Sequence, residues 1–441
     1  MAEEEGEIKR SNSNESDSPS QETSEEPREE KIEAPKPKEG RVNGGLLAWL
    51  QVLGAFCLFF TSWGIVNSFG VYQTYYENNL LSATSTSSQI SWIGSIQAFL
   101  LVVIGVVTGP IFDKGYLQPL LWAGSFLTVF GLMMTSICTK YWQLILAQGV
   151  CVGLGSGCLF VPSIAVVATY FTTKRALATG IAVGGSSIGG IIFPITFRRL
   201  QPIIGFGWAT RVIGFITLAL LAVAIAVMRT RLPPKPGRSL FQPSALKNKT
   251  FSLVSFGILV GFIGLYVPMF YIQTYALTKQ ITSNTDYAFY LLSILNAGSF
   301  FGRILPNFLA DKTGPMNMLV PCTVAAGTLC LAWIAITDVT GVTVFAALYG
   351  FFAGAYVSLL PPVIVELTPD MSVVGTWMGM SLFIGAFGLL VGNPVVGALV
   401  KIPKGQFAAG QGFAGGAVLL GAGMMAVALV LQTRHLKRWK V

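Results

Sequence analysis

The sequence predicts an all-α membrane protein, with twelve transmembrane helices in two six-helix, pseudo-repeated bundles. Three observations carry this expectation. Hydrophobic residues make up 53% of the 441 residues and charged residues only 11%, against about 25% charged in a soluble domain. The apolar residues gather into twelve runs, each about the twenty residues a helix needs to cross a bilayer. The two halves of the chain also repeat one another at an offset of about 200 residues, the mark of folds that rock two bundles around a central site.

The chain begins with an acidic, Ser-rich tail. Residues 1–41 hold 13 acidic and 7 basic residues and almost no large apolar ones, a composition that cannot bury enough surface to fold. It is the opposite of a basic-then-apolar presequence, so no cleavable signal is expected. The first bundle is assigned to 42–229, with runs at 46–71, 88–110, 118–138, 142–165, 175–197 and 208–229. A linker at 230–250 carries Pro233, Pro234, Pro236 and Pro243 among basic residues. The second bundle, 251–433, has runs at 251–273, 286–309, 316–337, 341–364, 373–399 and 413–432, followed by a basic tail at 434–441.

Lys and Arg set the orientation of such a chain. Alternate loops and ends collect Lys36, Lys38, Arg41, Lys114, Lys174, Arg175, the linker cations and the final cluster. The other side holds Lys140, Arg198, Arg199, Arg211, Lys279, Lys401 and Lys404. Both termini are therefore expected in the cytoplasm. Arg198 and Arg199 violate the rule locally, in the loop expected after the fifth run. The net charge of +9 sits between apolar runs, so it reads as topology and not as a nucleic-acid surface.

Six cysteines fall mostly inside apolar runs without metal-type spacing, and read as small core hydrophobes. His435 has no histidine partner, and no metal or other cofactor is expected. Beyond the tail only Glu77, Asp113, Asp286, Asp311, Asp338, Glu366 and Asp370 carry carboxylates. They are too scattered for a catalytic constellation, and no Gly-rich phosphate loop ending in Lys-Ser/Thr occurs. Neither an enzyme nor an ATP-driven pump is expected.

The repeat is visible in two places. Gly109-Pro-Ile-Phe-Asp113-Lys114-Gly115 after the second run matches Asn307-Phe-Leu-Ala-Asp311-Lys312-Thr-Gly314 after the eighth. Gly149, Gly153 and Gly157 of the fourth match Gly350, Gly354 and Ser358 of the tenth. Asp113, Lys114, Asp311 and Lys312 at helix ends are assigned a gating role, since such charges cap or pair in one conformation and release in another. The most informative side chain is Arg303, inside the eighth run. An arginine within a membrane helix costs about 2.5–3.5 kcal/mol on insertion scales, and its fork of donors matches a carboxylate. Arg303 therefore predicts a small organic anion as cargo. Asn67, Asn296, Ser299 and Tyr356 are assigned to the same binding site; Gln97, Tyr266 and Tyr271 are further polar side chains within apolar runs. Pro162, Pro194, Pro268, Pro306, Pro361, Pro362 and Pro394 are expected to kink or loosen helices.

Tyr170 to Pro194 concentrates Gly180, Gly184, Gly185, Ser186, Ser187, Gly189 and Gly190. In a bilayer such a helix survives because the backbone has no water to turn to, and small residues let neighbours approach closely. Together with Lys174-Arg175-Ala176-Leu177-Ala178, this stretch resembles the fifth-helix signature of the monocarboxylate-porter family of the major facilitator superfamily. Asn43-Gly44-Gly45 and Ala48-Trp49 resemble that family's first signature, with Asn43 in place of its acid and Leu46 in place of its aromatic residue. The long acidic tail resembles fungal members. The resemblance implies the major facilitator fold and transport by alternating access, with Arg303 as the anion-binding arginine and protons as the default coupling ion. Asn67 stands where the family's proton-handling lysine is expected, and Ser299 where its aspartate is. The expectation is a secondary active or facilitative transporter of monocarboxylates or related organic anions, with the missing charges favouring cargo other than simple lactate, or facilitated diffusion. Export of a secondary metabolite and import of riboflavin-like cargo are the alternatives, and a non-transporting nutrient sensor is the reading from another class. The plasma membrane is the expected location, with the vacuolar membrane as the alternative.

Overall fold

In the computed structural model, residues 44–171, 175–230, 240–282, 285–369 and 373–436 are described. The expected acidic tail, Asn43, Lys174, the part of the linker with Pro233, Pro234, Lys235 and Pro236, Asp370 and the last five residues lie outside them. Among the described residues the chain is helical. An isolated bridge between Lys401 and Gln406 is its one β feature.

Among the described residues, eleven helices are long and apolar enough to cross a membrane. They are α1 (Leu46–Leu80), α2 (Ser87–Asp113), α3 (Leu117–Thr135), α4 (Tyr141–Val167), a long element (Arg175–Val227), α7 (Lys249–Thr278), α8 (Thr285–Thr313), α9 (Pro315–Ala335), α10 (Val339–Leu367), α11 (Val374–Leu399) and α12 (Ala408–Leu436). The long element is broken at Gly205, with φ 79° and ψ 168°. That backbone region is essentially reserved for glycine. Counting α5 (175–204) and α6 (206–227) separately gives the twelve crossings expected.

The fifth helix runs further than its apolar run indicated. Arg198 and Arg199 stand inside α5, not in a loop, and Arg198 pairs with Asp286 at the start of α8 at 2.8 Å. Its guanidinium lies 4.5 Å from the centroid of Phe289. A charge neutralised in this way can extend a helix beyond its hydrophobic stretch. The end of α1 extends likewise to Leu80 through a π-helical turn at Tyr76–Leu80.

Packing repeats between the halves. In the first half α1 packs on α4 and on the α5–α6 element, α2 on α4, and α3 on α4 and α6; in the second, α7 packs on α11 and α12, α8 on α10, and α9 on α10 and α12. The glycine rows explain part of this correspondence. A Cβ at Gly153 would meet the Gln97 backbone and one at Gly157 the Leu100 carbonyl of α2. On α10, Cβ atoms at Gly350 and Gly354 would meet the carbonyls of Leu295 and Ser299 on α8. Ser358, in the third position of the second row, instead accepts a 2.7 Å hydrogen bond from Asn307. The repeated Asp-Lys elements end in glycines of positive φ, Gly115 at 90° and Gly314 at 102°. There the chain turns into α3 and α9.

Among the described residues the main contacts between the halves are α2 on α11, α5 on α8, and α1 on α7. The glycines of α5 serve two of its faces. Gly185 and Gly189 bring it against the backbone of α1 at Phe56 and Phe60, while Gly184 and Gly190 bring it against Phe300 and Asn296 of α8. Large apolar side chains on the outer surface, such as Trp122, Phe126, Phe215 and Leu420, are exposed. A belt of this kind suits hydrocarbon and would be costly in water.

The helices continue through Pro162, Pro194, Pro306, Pro361, Pro362 and Pro394. Among the described residues α4 passes through a π-helical stretch at Ile145–Val152, and full breaks within a crossing fall in α1 and α7. In α1 they come at Ser62 and Ser68, whose hydroxyls each donate 2.6 Å bonds to carbonyls four residues back. Such back-bonding competes with the helical ladder and bends it. In α7 the interruption is at Tyr266, two residues before Pro268, which has no N–H to donate and crowds the carbonyl of Gly264.

Candidate functional site

The breaks in α1 and α7 face one another across the halves. Trp63 begins the segment after the first break in α1, and Tyr266 is the break residue of α7. Their rings lie 6.1 Å apart and 26° from parallel. Phe160 of α4 meets Trp63 edge-on at 5.9 Å. Phe262 of α7 lies 6.2 Å from Tyr266 and 5.7 Å from Tyr356 of α10. Discontinuous helices at mid-depth are where transporters of this architecture build their sites.

One face of α8 completes this region. Asn296, Ser299, Arg303 and Asn307 recur every three or four residues, so they share a face. Arg303 is 4% exposed. Its Nε–H donates to Ser299 Oγ at 3.3 Å, and Tyr266 of α7 lies near the guanidinium. Of the five N–H donors a guanidinium carries, the other four have no protein acceptor among the described residues. No carboxylate pairs with it there either. Asn307 donates to the Arg303 carbonyl at 2.8 Å and fixes the turn below it.

The other expected site residues divide into two groups. Ser299 touches Arg303, and the Tyr356 hydroxyl is buried without a hydrogen-bond partner, joined to Tyr266 through Phe262. Asn67 and Asn296 instead converge on α5. Asn67 donates to the Ser186 carbonyl at 3.4 Å, and Asn296 packs against Gly190. The amide oxygen of each is buried without a partner. Asp113 and Lys114 at the end of α2, and Asp311 and Lys312 at the end of α8, occupy equivalent helix ends. Lys312 lies 4.9 Å from the Phe308 ring.

The opposite end, where α1 leads into α2, is closed by polar contacts that sequence reasoning assigned to no role. The carboxylate of Glu77 accepts from Gln73 Nε2 at 3.0 Å, from Ser87 Oγ at 2.5 Å and, across the halves, from Thr274 Oγ1 at 2.9 Å. Thr74 bonds Thr274 at 3.2 Å, Ser88 donates to the Pro394 carbonyl at 2.8 Å, and Ser91 bonds Tyr271. A small pocket of about 60 Å³ beside it is lined by Thr74, Tyr75, Phe197, Arg198 and Phe289 among others. Glu77 was visible in the sequence only as a lone acid near a helix end. Trp63 and Phe262 read as ordinary apolar residues, because nothing in the pattern marks a serine-made helix break.

An all-helical bundle of twelve crossings, repeated in two halves around paired helix breaks, defines a membrane transporter, and this chain belongs to the major facilitator superfamily, whose sequence profile matches residues 44–369. It is an integral membrane protein. Among curated proteins it is 48% identical over 398 residues to the MFS-type transporter dbaD of Emericella nidulans, covering 88% of this chain and 89% of that one. The aspyridones efflux protein apdF of the same species is 39% identical over 389 residues, 87% and 79% of the two chains. The MFS transporter asaE of Aspergillus flavus is 39% identical over 397 residues, 89% and 88%.

Proposed function

We propose that the protein exports an anionic secondary metabolite by alternating access, with Arg303 binding the anionic group. The observation that carries this is Arg303 itself: buried inside the bundle at 4% exposure, it spends one donor on a serine and keeps four unspent among the described residues. An anion with two oxygens satisfies such a fork bidentately. The printed name of one relative, an efflux protein for aspyridones, favours export of a secondary metabolite over import of a short monocarboxylate. The resemblance to monocarboxylate porters enters this reading only as the mode of anion recognition, by an arginine of the eighth helix. Asn67 and Ser299 carry no charge, so proton coupling, where it occurs, runs through other groups. Export across the plasma membrane, with both termini in the cytosol, is the direction this reading assigns.

The test is counterflow in proteoliposomes preloaded with 2-naphthoate, following entry of labelled 2-naphthoate against its neutral amide. The wild type exchanges the acid and not the amide. Arg303→Gln, reconstituted at equal density, lowers exchange roughly a hundredfold, the equivalent of about 2.7 kcal/mol. Equal exchange by the variant, or equal handling of acid and amide, rejects Arg303 as the anion site.

A further inference from the structure

The side chains around Arg303 also specify the rest of the cargo. Beyond their breaks, α1 and α7 hold together, with Phe69 against Phe270 at 4.9 Å. Before the breaks they follow different partners. The segment Leu46–Thr61 packs on α4 and α5, and Lys249–Leu265 packs on α11 and α12. Trp63 and Tyr266 therefore stand at the apex of the region between the halves, at the point where the two helices part.

Ordinary core packing accounts less well for this pair than for aromatic groups within one half. The Trp333, Phe345 and Tyr349 stack lies wholly in the second half and keeps its neighbours whatever the halves do. Trp63 and Tyr266 belong to opposite halves, as do Phe69 with Phe270 and Phe99 with Phe387. Of these pairs, Trp63 and Tyr266 stand where the helices part and are joined through Phe262 to Tyr356, so rocking of the halves changes their separation. Faces that part and close once per cycle are suited to gripping a flat group. Beside them stand Arg303 with its free donors and the partnerless Tyr356 hydroxyl, both more than nine-tenths buried. Aromatic faces attract other π systems beyond what area alone gives. A short aliphatic acid would engage Arg303 and leave these faces unused.

We propose that the cargo is a planar, conjugated organic acid, its anionic group on Arg303 and its ring system against Trp63 and Tyr266, with the Tyr356 hydroxyl as a third, hydrogen-bonding point. This rests on the reading of Arg303 as the anion site.

The test uses two probes alike in charge and carbon skeleton but not in flatness: 2-naphthoate and its saturated counterpart, decahydro-2-naphthoate. Binding to the purified full-length protein is measured by calorimetry. The wild type prefers the flat acid about tenfold. Trp63→Leu removes that preference, weakening naphthoate about tenfold and the saturated acid less than twofold, while Trp63→Phe restores most of it. Tyr266→Leu gives the same result where Trp63→Leu fails to fold. Equal affinities in the wild type, or a preference that survives both leucine variants, overturns the proposal. Arg303→Gln separates the two readings. Weakened binding of both acids with equal affinities in the wild type overturns the aromatic site alone. Unchanged binding of both acids overturns the anion site, and with it the arrangement proposed here. Failure of the wild type to bind either acid overturns both.

Discussion

Removing the Thr274 hydroxyl tests how the α1–α2 end stays shut. Thr274→Val keeps the side-chain shape and deletes the donor to Glu77 Oε2, which lies 2.9 Å away in the other half. A hydrogen bond to a charged group contributes about 1.5–3 kcal/mol, and the 3.2 Å bond to Thr74 is lost with it. Opening this end breaks these bonds in any case, so the variant destabilises the closed state alone. The ratio of open to closed rises about 10- to 100-fold, at 1.4 kcal/mol per decade. Ser87→Ala is the control. It removes a donor to the same carboxylate at 2.5 Å, but Ser87 and Glu77 belong to one half and stay together on opening. Spin labels at Asn79→Cys and Lys279→Cys, exposed positions at the ends of α1 and α7, report the separation by double electron–electron resonance in a cysteine-free background. Thr274→Val populates longer distances and Ser87→Ala does not. The same distribution in both variants would refute the assignment of the latch to the cross-half bond.

Two further outcomes follow from the packing. Reversing the Arg198–Asp286 pair (Arg198→Asp with Asp286→Arg) restores what Arg198→Asp loses. Because both partners are partly exposed, the pair is worth less than about 1 kcal/mol, and the single variant shifts the label distances less than Thr274→Val does. Within α5, Gly180→Ala and Gly185→Ala act in opposite directions on the melting temperature. A Cβ at Gly180 meets nothing within 4 Å and gains up to about 1 kcal/mol of helix propensity. One at Gly185 collides with the Phe56 carbonyl and costs about 1–3 kcal/mol.

Most of the fold was legible because a bilayer imposes a length and a composition on every crossing. Twelve runs became twelve crossings, and the Asp-Lys and glycine repeats fell at equivalent helix ends and helix contacts. What the pattern hid were events that hydrophobicity does not record. Arg198 looked like a loop charge because its counterion, Asp286, lies 88 residues away. The break in α1 depends on two serine hydroxyls turning back on the helix, and serines elsewhere in the chain do not break theirs. Arg303 was legible as an anomaly of charge. Its aromatic surroundings come from four helices and could be assembled only in three dimensions. Asn67 was assigned to the site from its family position alone, and its amide donates to the Ser186 carbonyl of α5.

The joint at Gly205 has a mechanical consequence. Most neighbouring helices here are linked by several residues of slack, whereas α5 and α6 are linked by one. Tilt in α5 as it rides against α8 is therefore transmitted directly to α6, and through α6 to α3, on which it packs. In the alternating access proposed above, the first half would move as a block, with α5 as its drive shaft and a single glycine as the coupling.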